Sequence, residues 1–471
     1  MSITLLNHQE RGRELARTHS RFAMFWDPGL GKTMCMLAIC AERPMPTLVI
    51  CPKSIMRAAW VSDAKKFGGL SVDLYHGAPA TRRKLTDRWT NGSMPDIVVT
   101  TFETFRSNFD RVISLGFRRI IIDESSKLKN PTSKITKACI AAGDMVSEAY
   151  ILSGTPAPNN PSEYWGQFRF LGKKFVSSPS SRSTNFFAWT SYWLVPMRRK
   201  VRVPGRRRGE TITKEVITGY KRRLDRADDF AKSLARASWF LAKEDCMDLP
   251  PKRFQIIPIQ LSQAESKMYS QLTGDLQDFG TNETGETITT QVQNCVMKLR
   301  QICGGCINAE KWTAIGSSKL DALKDLMESL GGHPVVIWAE FRFEIERIYA
   351  TMTSAGYNGH ILYGGTTDVQ GKIEQFQRGE LDFLVCHPAA VGHGVTLTRA
   401  SHAVYYSLGY SYEQHQQSVD RIHRVGQDDP CNYYYLLAED TVDHIIYGVL
   451  RNKATRSSAL IAIVKGLRGE E

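Results

Sequence analysis

Short apolar runs alternate along this chain with stretches whose apolar residues recur at helical spacing. FAMFW at 22–26, TLVIC at 47–51, DIVVT at 96–100, IIID at 120–123 and AYILS at 149–153 read as buried strands. A short run that stays apolar without alternating is what a strand covered on both faces requires. The segments between them, 32–42 and 53–67 among them, carry apolar residues at helix period. That alternation predicts a parallel sheet with helices on both faces. A second series follows: VVIWA at 335–339, HILY at 360–363, FLVC at 383–386, AVYYS at 403–407 and YYYLL at 433–437. The predicted fold class is α/β, with two tandem lobes over 1–246 and 247–471, each on its own parallel sheet.

Between the two series the texture changes. Residues 173–246 show no clear strand run, and about 173–240 reads as an insertion on the first lobe. Residues 262–330 read as a helical insertion on the second lobe, interrupted by the polar loop 280–290. The two halves share a texture and no repeated sequence.

Composition narrows the class. With 42% hydrophobic and 23% charged residues the chain is ordinary for a globular protein, which excludes global disorder. Lys plus Arg is 61 against 48 Asp plus Glu, a net of +13 that calls for a polyanionic partner. The excess is concentrated: 197–226 holds twelve Lys or Arg against three acids, a net of +9. No apolar run approaches the roughly 18 residues of a spanning helix, so no membrane contact is expected. The opening MSITLLNHQERGRE is too polar and too acidic for a signal peptide. The ten cysteines lie scattered through apolar stretches, as at Cys35, Cys40 and Cys51, and fit small buried side chains in a reducing, intracellular compartment. Cys303-Gly-Gly-Cys306 has no second pair at zinc spacing, so no metal is expected there.

The candidate chemistry begins after the first strand. Asp27-Pro28-Gly29-Leu30-Gly31-Lys32-Thr33 joins that strand to a helical pattern. A turn in this position points free backbone N–H groups, and the positive end of the helix dipole, at an anion. Lys32 would reach the β- and γ-phosphates of a nucleotide and the Thr33 hydroxyl would ligate Mg²⁺. The strict pattern places Gly where Trp26 stands, so the loop is a relaxed version. Asp123 and Glu124 end the strand at 120–123. At a strand's carboxyl edge Asp123 is suited to hold Mg²⁺ and Glu124 to polarise an attacking water. Arg421 and Arg424, three apart, would share a helix face and suit phosphate oxygens. A basic solvated helix is the commoner meaning of such a pair.

Read together, these stretches resemble the helicase-like superfamily-two ATPases, and within them the Swi/Snf-type branch, over nearly the whole chain. Leu5-Leu-Asn-His-Gln9 is similar to the family's opening glutamine motif, which implies an adenine contact for Gln9. Asp27–Thr33 is similar to its phosphate loop, D-E-M-G-L-G-K-T, with Asp-Pro-Gly one residue shorter. Asp123-Glu-Ser-Ser-Lys-Leu-Lys-Asn130 resembles D-E-x-H-x-L-K-N, with Ser126 for the usual His. Ser153-Gly-Thr-Pro-Ala-Pro-Asn-Asn160, with Glu163 and Trp165, resembles G-T-P-x-x-N-N-x-x-E-x-W. Branch-specific likenesses follow at Leu249-Pro-Pro-Lys252, Leu261-Ser-Gln, Leu299-Arg-Gln-Ile-Cys303, Gly392-His-Gly394-Val-Thr-Leu397 with Ala400, and Arg421-Ile-His-Arg424-Val-Gly-Gln427. Their order and spacing carry the specificity. One departure is Phe240-Leu-Ala-Lys-Glu-Asp245, where the family's usual arginine pair is missing.

The resemblance implies two RecA-like lobes that hydrolyse ATP with Mg²⁺ at their interface and translocate on double-stranded DNA, branched or forked duplexes included. It adds Gly394 and Gln417 to the nucleotide contacts. DNA-contact candidates are Lys53, Thr100 and Thr101 on the first lobe and Gly364 and Thr396 on the second, each of which equally fits a helix cap or a turn. The basic stretch Arg198, Arg199, Lys200, Arg206, Arg207, Arg208, with Pro204-Gly205 as a hairpin turn, is a sharper candidate. The chain reads as nearly all motor, as in bacterial or viral members or the annealing-helicase branch. It would act in the cytoplasm of a bacterial or viral host, or in a eukaryotic nucleus. A strand-separating or annealing helicase, an ATP-gated DNA-binding scaffold and a motor subunit of a defence complex remain as alternatives.

Overall fold

The computed structural model describes residues 5–66, 69–158, 160–177, 183–204, 211–278, 285–308, 312–391 and 395–451. The chain divides into two compact units, Met1–Asp248 and Leu249–Glu471.

The first unit contains strands β1 (Arg21–Trp26), β2 (Thr47–Cys51), β3 (Val72–Tyr75), β4 (Ile97–Thr101), β5 (Arg119–Asp123), β6 (Glu148–Leu152), β7 (Leu194–Pro204), β8 (Thr211–Arg222) and β9 (Ser238–Leu241). Seven of them form one sheet in the order β3-β4-β2-β5-β6-β1-β9. Every pairing in it is parallel. The apolar runs are continuous because the sheet is covered on both faces. Ala23, Phe25, Leu48, Ile50, Ile120 and Ile122 enter one core. Their neighbours Met24, Trp26, Val49, Cys51 and Ile121 enter the other. At the amino ends of the strands a fully buried Arg119 donates to Glu148 at 2.7 Å, and Arg43 pairs with the same carboxylate at 3.0 Å.

The stretch expected to hold no strand holds three. β7 and β8 form an antiparallel ribbon, registered from Leu194↔Arg222 to Pro204↔Thr211 with an irregularity at Met197/Arg198. This ribbon is a separate two-stranded sheet. It therefore needs no continuous apolar run, and its many charges hide the strand pattern. β9 is only four residues long and adds to the edge of the main sheet beside β1. The expected turn residue Gly205 lies outside the described residues.

The second unit contains β10 (Lys252–Ile259), β11 (Cys306–Asn308), β12 (Trp312–Ala314), β13 (Val335–Trp338), β14 (Gly359–Leu362), β15 (Phe383–Cys386), β16 (His402–Tyr405) and β17 (Cys431–Ala438). Six form a parallel sheet, β10-β17-β16-β13-β15-β14, again with two cores fed by alternate residues. Val336, Trp338, Leu384 and Cys386 serve one core; Val335, Ile337, Phe383 and Val385 serve the other. β10 has no run to announce it. It is an edge strand with Phe254 and Ile256 exposed and a proline at 258. The region 262–330 contains the expected helices, Gln263–Asp278, Gly285–Cys303 and Ser318–Ser329. Part of the loop expected over 280–290 is helical, from Gly285 onward, and β11 pairs with β12 in a small antiparallel hairpin. Among the described residues no helix is long and apolar enough to cross a membrane.

One buried acid gives the second unit a pH-dependent term. Glu344, 1% exposed, accepts from the Ser407 hydroxyl at 2.5 Å. Burial pushes its carboxyl up to about 7, against the opposing pull of Ser407, Lys319 and Arg300. An acid raised on folding stabilises fully below its unfolded value, near 4.5, and loses that contribution as pH rises through about 7. Each pKa unit corresponds to about 1.4 kcal/mol. Glu344→Gln should therefore flatten the fall in unfolding free energy between pH 4.5 and 7 and leave the protein more stable at pH 8. Denaturant titrations across that range check this; an unchanged slope contradicts it.

Candidate functional site

A parallel sheet brings all its strand carboxyl ends to one edge, where ligands of α/β proteins bind. In the first unit the order β5-β6-β1-β9 puts four loops side by side there. They are Asp123–Leu128 after β5, Ser153–Pro158 after β6, Asp27–Gly31 after β1 and Ala242–Asp245 after β9. The acids thus do not stand directly beside the phosphate loop, because β6 intervenes. Two strand spacings separate them, about 10 Å.

The phosphate loop is braced from inside the unit. Gly31, the cap of helix Lys32–Glu42, has φ 77°, the left-handed region that only glycine enters cheaply. Asp27, Pro28, Gly29, Gly31, Lys32 and Thr33 are partly exposed, while Leu30 is buried. The Leu30 carbonyl accepts from Gln9 Nε2 at 3.1 Å and lies 2.9 Å from a His8 ring nitrogen. The Gln9 side-chain oxygen accepts from the Leu6 N–H at 3.0 Å. Lys32 Nζ lies back along the loop, donating to the Trp26 and Asp27 carbonyls at 2.7 and 3.3 Å. Trp26 does not obstruct the loop: its ring is buried edge-on against Trp239 and His8, at 5.1 and 5.7 Å.

The acid loop is equally fixed. Asp123 is 6% exposed. Its Oδ1 accepts from the Glu124 N–H at 3.1 Å and its Oδ2 from the Trp60 indole at 3.0 Å. Glu124 adopts φ 60°, a turn that ends the strand abruptly. Next, Ser125 donates to Gln167 Oε1 at 2.7 Å. Gln167 Nε2 donates to the carbonyls of Pro156 at 2.5 Å and Glu163 at 3.0 Å. One fully buried amide therefore joins the acid loop to the loop after β6. Ser126, where the resemblance led one to look for His, is buried at 3%.

Three of these partners escaped the sequence reading. Trp60 and Gln167 follow no motif the reading used. Lys243 sits in the segment where the arginine pair is missing; it is buried, and its backbone N–H donates to Asp27 Oδ2 at 3.1 Å across 216 residues. Contacts of that separation leave no local signal.

In the second unit the arginines are brought together, though not as one helix face. Helix Tyr412–Ile422 carries Arg421 in its last turn, and Arg424 lies beyond the helix end. Both donate to the Val395 carbonyl, at 3.2 and 2.9 Å. Gln427 anchors the same corner by donating to the carbonyls of Thr398, Ala400 and Ile422. His415 fixes the helix to the sheet, with a ring nitrogen 2.9 Å from the Tyr435 hydroxyl; burial lowers its pKa to about 4 and keeps it neutral. Gln417 stands on this helix, partly exposed. Gly394 lies outside the described residues.

The nucleic-acid candidates separate clearly. Thr100 is fully buried, its hydroxyl donating to the Tyr75 carbonyl, so it cannot present itself to DNA. Thr101 is buried and caps helix Phe102–Ser107 through Thr104 N. Lys53 and Gly364 are exposed and Thr396 is partly so. Arg198 is exposed on β7 and pairs with Glu215 at 3.5 Å. Arg199 and Lys200 are on the same strand, and Arg206, Arg207 and Arg208 lie outside the described residues. Among the described residues no group of three His, Cys, Asp or Glu could hold a metal without a ligand's help.

Two family models and several known proteins match this chain. The model of the SNF2-related domain matches residues 14–306, and that of the helicase conserved C-terminal domain matches 318–426. Protein p41 of Acyrthosiphon pisum secondary endosymbiont phage 1 is 23% identical, with 93% of each chain covered. The ATP-dependent helicase/translocase YwqA of Bacillus subtilis is 24% identical over 92% of this chain, which spans 46% of its length. A solved structure, the Sulfolobus solfataricus SWI2/SNF2 ATPase core in complex with dsDNA, aligns with 99% of this chain and 94% of its own at 20% identity and a TM-score of 0.44.

The close fit of the loops has a measurable consequence. A Cβ added at Gly166 would run into the Leu128 carbonyl oxygen, which is backbone and cannot swing aside. Gly166→Ala should destabilise the first unit by about 1–3 kcal/mol. Denaturant unfolding reads this directly, and an unchanged midpoint contradicts it.

Proposed function

We propose a function from one premise: the chain belongs to the SNF2-related family. It is an ATPase, and its hydrolysis is DNA-dependent. The single observation that carries the residue-level reading is the carboxyl edge of the first sheet, where the braced loop Asp27–Thr33 and the anchored pair Asp123–Glu124 stand two strands apart.

In this reading the loop's backbone N–H groups and Lys32 bind the phosphates, and Gln9 lies at the base side. Thr33 and Asp123 would hold Mg²⁺, which supplies charge neutralisation on the phosphate oxygens when bound. Glu124 orients a water toward the γ-phosphorus and accepts its proton as the oxygen–phosphorus bond forms and ADP leaves. Arg421 and Arg424, with Gln417, act from the second unit on the charge that develops on the transferred phosphoryl group. The motif likenesses and the shared anchoring of both arginines on Val395 support that role.

The product of the cycle is movement along duplex DNA inside the cell. Grip falls on phosphates, which makes it sequence-independent and salt-sensitive. The concentration of positive charge in 197–226, on the ribbon β7–β8 with Arg198 and Lys214 exposed, supports a grip there. Lys53, Gly364 and Thr396 are further candidates.

Two experiments test the reading. Lys32→Ala should weaken nucleotide binding, whereas Glu124→Gln should retain binding and lose turnover by at least about a hundredfold. Turnover near the wild-type level in purified Glu124→Gln protein would remove that residue from the mechanism. Separately, Gln at positions 198, 199, 200, 206, 207 and 208 should lower duplex affinity and flatten its log–log salt dependence by roughly 0.9 for each lost contact. ATP turnover without DNA should not change. Equal affinity and slope at two salt concentrations would show that the ribbon is only a solvated surface.

A further inference from the structure

The Glu124 N–H and the Trp60 indole both donate to the Asp123 carboxylate, and the two donors are not alike. The Glu124 N–H belongs to the same turn and comes with it. The Trp60 indole comes from 63 residues away, on the crossover that follows β2. β2 is the sheet neighbour of β5, with Ile50 registered on Ile122 one residue before Asp123. That adjacency lets a side chain leaving β2 cover the carboxyl end of β5.

The crossover is built in an unusual way. It opens with helix Lys53–Ile55, continues as a π-helical turn over Met56–Val61, and returns to an α-helix at Ser62–Lys66. A π turn closes i→i+5 hydrogen bonds in place of i→i+4, is rare, and is found frequently at functional sites. Trp60 is the large residue within it. Its ring is fully buried, in the core with Cys51 and Met56, and its N–H takes Asp123 Oδ2 at 3.0 Å. A buried indole N–H needs an acceptor. Here the acceptor is a carboxylate at the edge of the candidate nucleotide site.

We propose that Trp60 is a positioning residue that sets the orientation of the Asp123 carboxylate for Mg²⁺. With Oδ1 held by the Glu124 N–H and Oδ2 by the indole, the carboxylate plane is fixed by two donors on its two oxygens. The carboxylate is thereby held in one orientation at the carboxyl end of β5, where the reading above assigns it to Mg²⁺. The inference rests on the assignment of Asp123 to Mg²⁺ made above.

The test uses the full-length chain and binding of a fluorescent, non-hydrolysable ATP analogue as Mg²⁺ is titrated, with ATP turnover measured in parallel. Trp60→Phe keeps an aromatic ring and removes the N–H. Its Mg²⁺ midpoint for analogue binding should rise about tenfold, the size of one hydrogen bond to a charged group. Binding in EDTA should stay within about twofold of wild type, since phosphate-loop contacts are untouched. Trp89→Phe is the matched control. Trp89 is a buried indole of the same unit that also donates to a carboxylate, Asp73 Oδ2 at 2.8 Å, away from the strand ends. It should leave the Mg²⁺ midpoint in place. Should Trp60→Phe fold poorly, benzothienylalanine at position 60 replaces N–H by sulfur at nearly the same shape and should give the same shift. Asp123→Asn separates the two levels of the argument. If it moves the Mg²⁺ midpoint and loss of the Trp60 N–H does not, the positioning role is overturned while the assignment of Asp123 stands. If neither change moves it, both are overturned.

Discussion

The constraint on which the first unit depends is that all seven strands of its main sheet run the same way. A parallel ladder cannot be closed by tight hairpins, so every crossover returns across a face and every strand delivers its carboxyl end to the same edge. Loops from positions 27, 123, 153 and 242, far apart in the chain, become neighbours by this alone. Their backbone carbonyls then need partners at that edge, and side chains supply them, Gln9 for Leu30 and Gln167 for Pro156, while the Asp123 carboxylate accepts from the Trp60 indole and the Glu124 N–H. The site is held by hydrogen bonds between loops, while the two apolar cores hold the sheet that presents them.

Much of this was legible in the sequence because burial on both faces writes itself as unbroken apolar runs. β2, β5 and β15 are entirely buried and were readable as such. The loop Asp27–Thr33 and the pair Asp123–Glu124 were equally legible, since an anion-binding turn needs particular residues at fixed short spacing. What stayed hidden follows the same logic in reverse. β3 and β10 lie at sheet edges, where one side faces no strand and the pattern thins. β7 and β8 pair only with each other, so charge replaces the apolar signal. The helical start at Gly285 lies in a polar stretch that local preference assigns to a loop.

Within the site, the residues that act at short sequence distance were found and those that act at long distance were not. Trp60 meets Asp123 across 63 residues and Lys243 meets Asp27 across 216. Neither contact leaves a periodicity or a motif, because each depends on strand order. Thr100 illustrates the opposite error: its type and position suit a phosphate contact, yet it stands inside the sheet with its hydroxyl already engaged by Tyr75. In the second unit Arg421 and Arg424 share an acceptor, Val395, although the helix ends between them. The expected helix face is thus replaced by a helix end that gathers both side chains on one carbonyl.

The central claim is that the edge of the first sheet holds and hydrolyses ATP, and that duplex DNA sets the rate. The most direct measurement is steady-state ATP turnover of the purified full-length chain with no nucleic acid, with single-stranded DNA, with blunt and forked duplex DNA and with RNA, at one salt concentration. The account predicts low turnover alone and strong stimulation by duplex, blunt or forked, well above that by single strands or RNA. Turnover that is the same with and without duplex, or that responds to RNA alone, would contradict it.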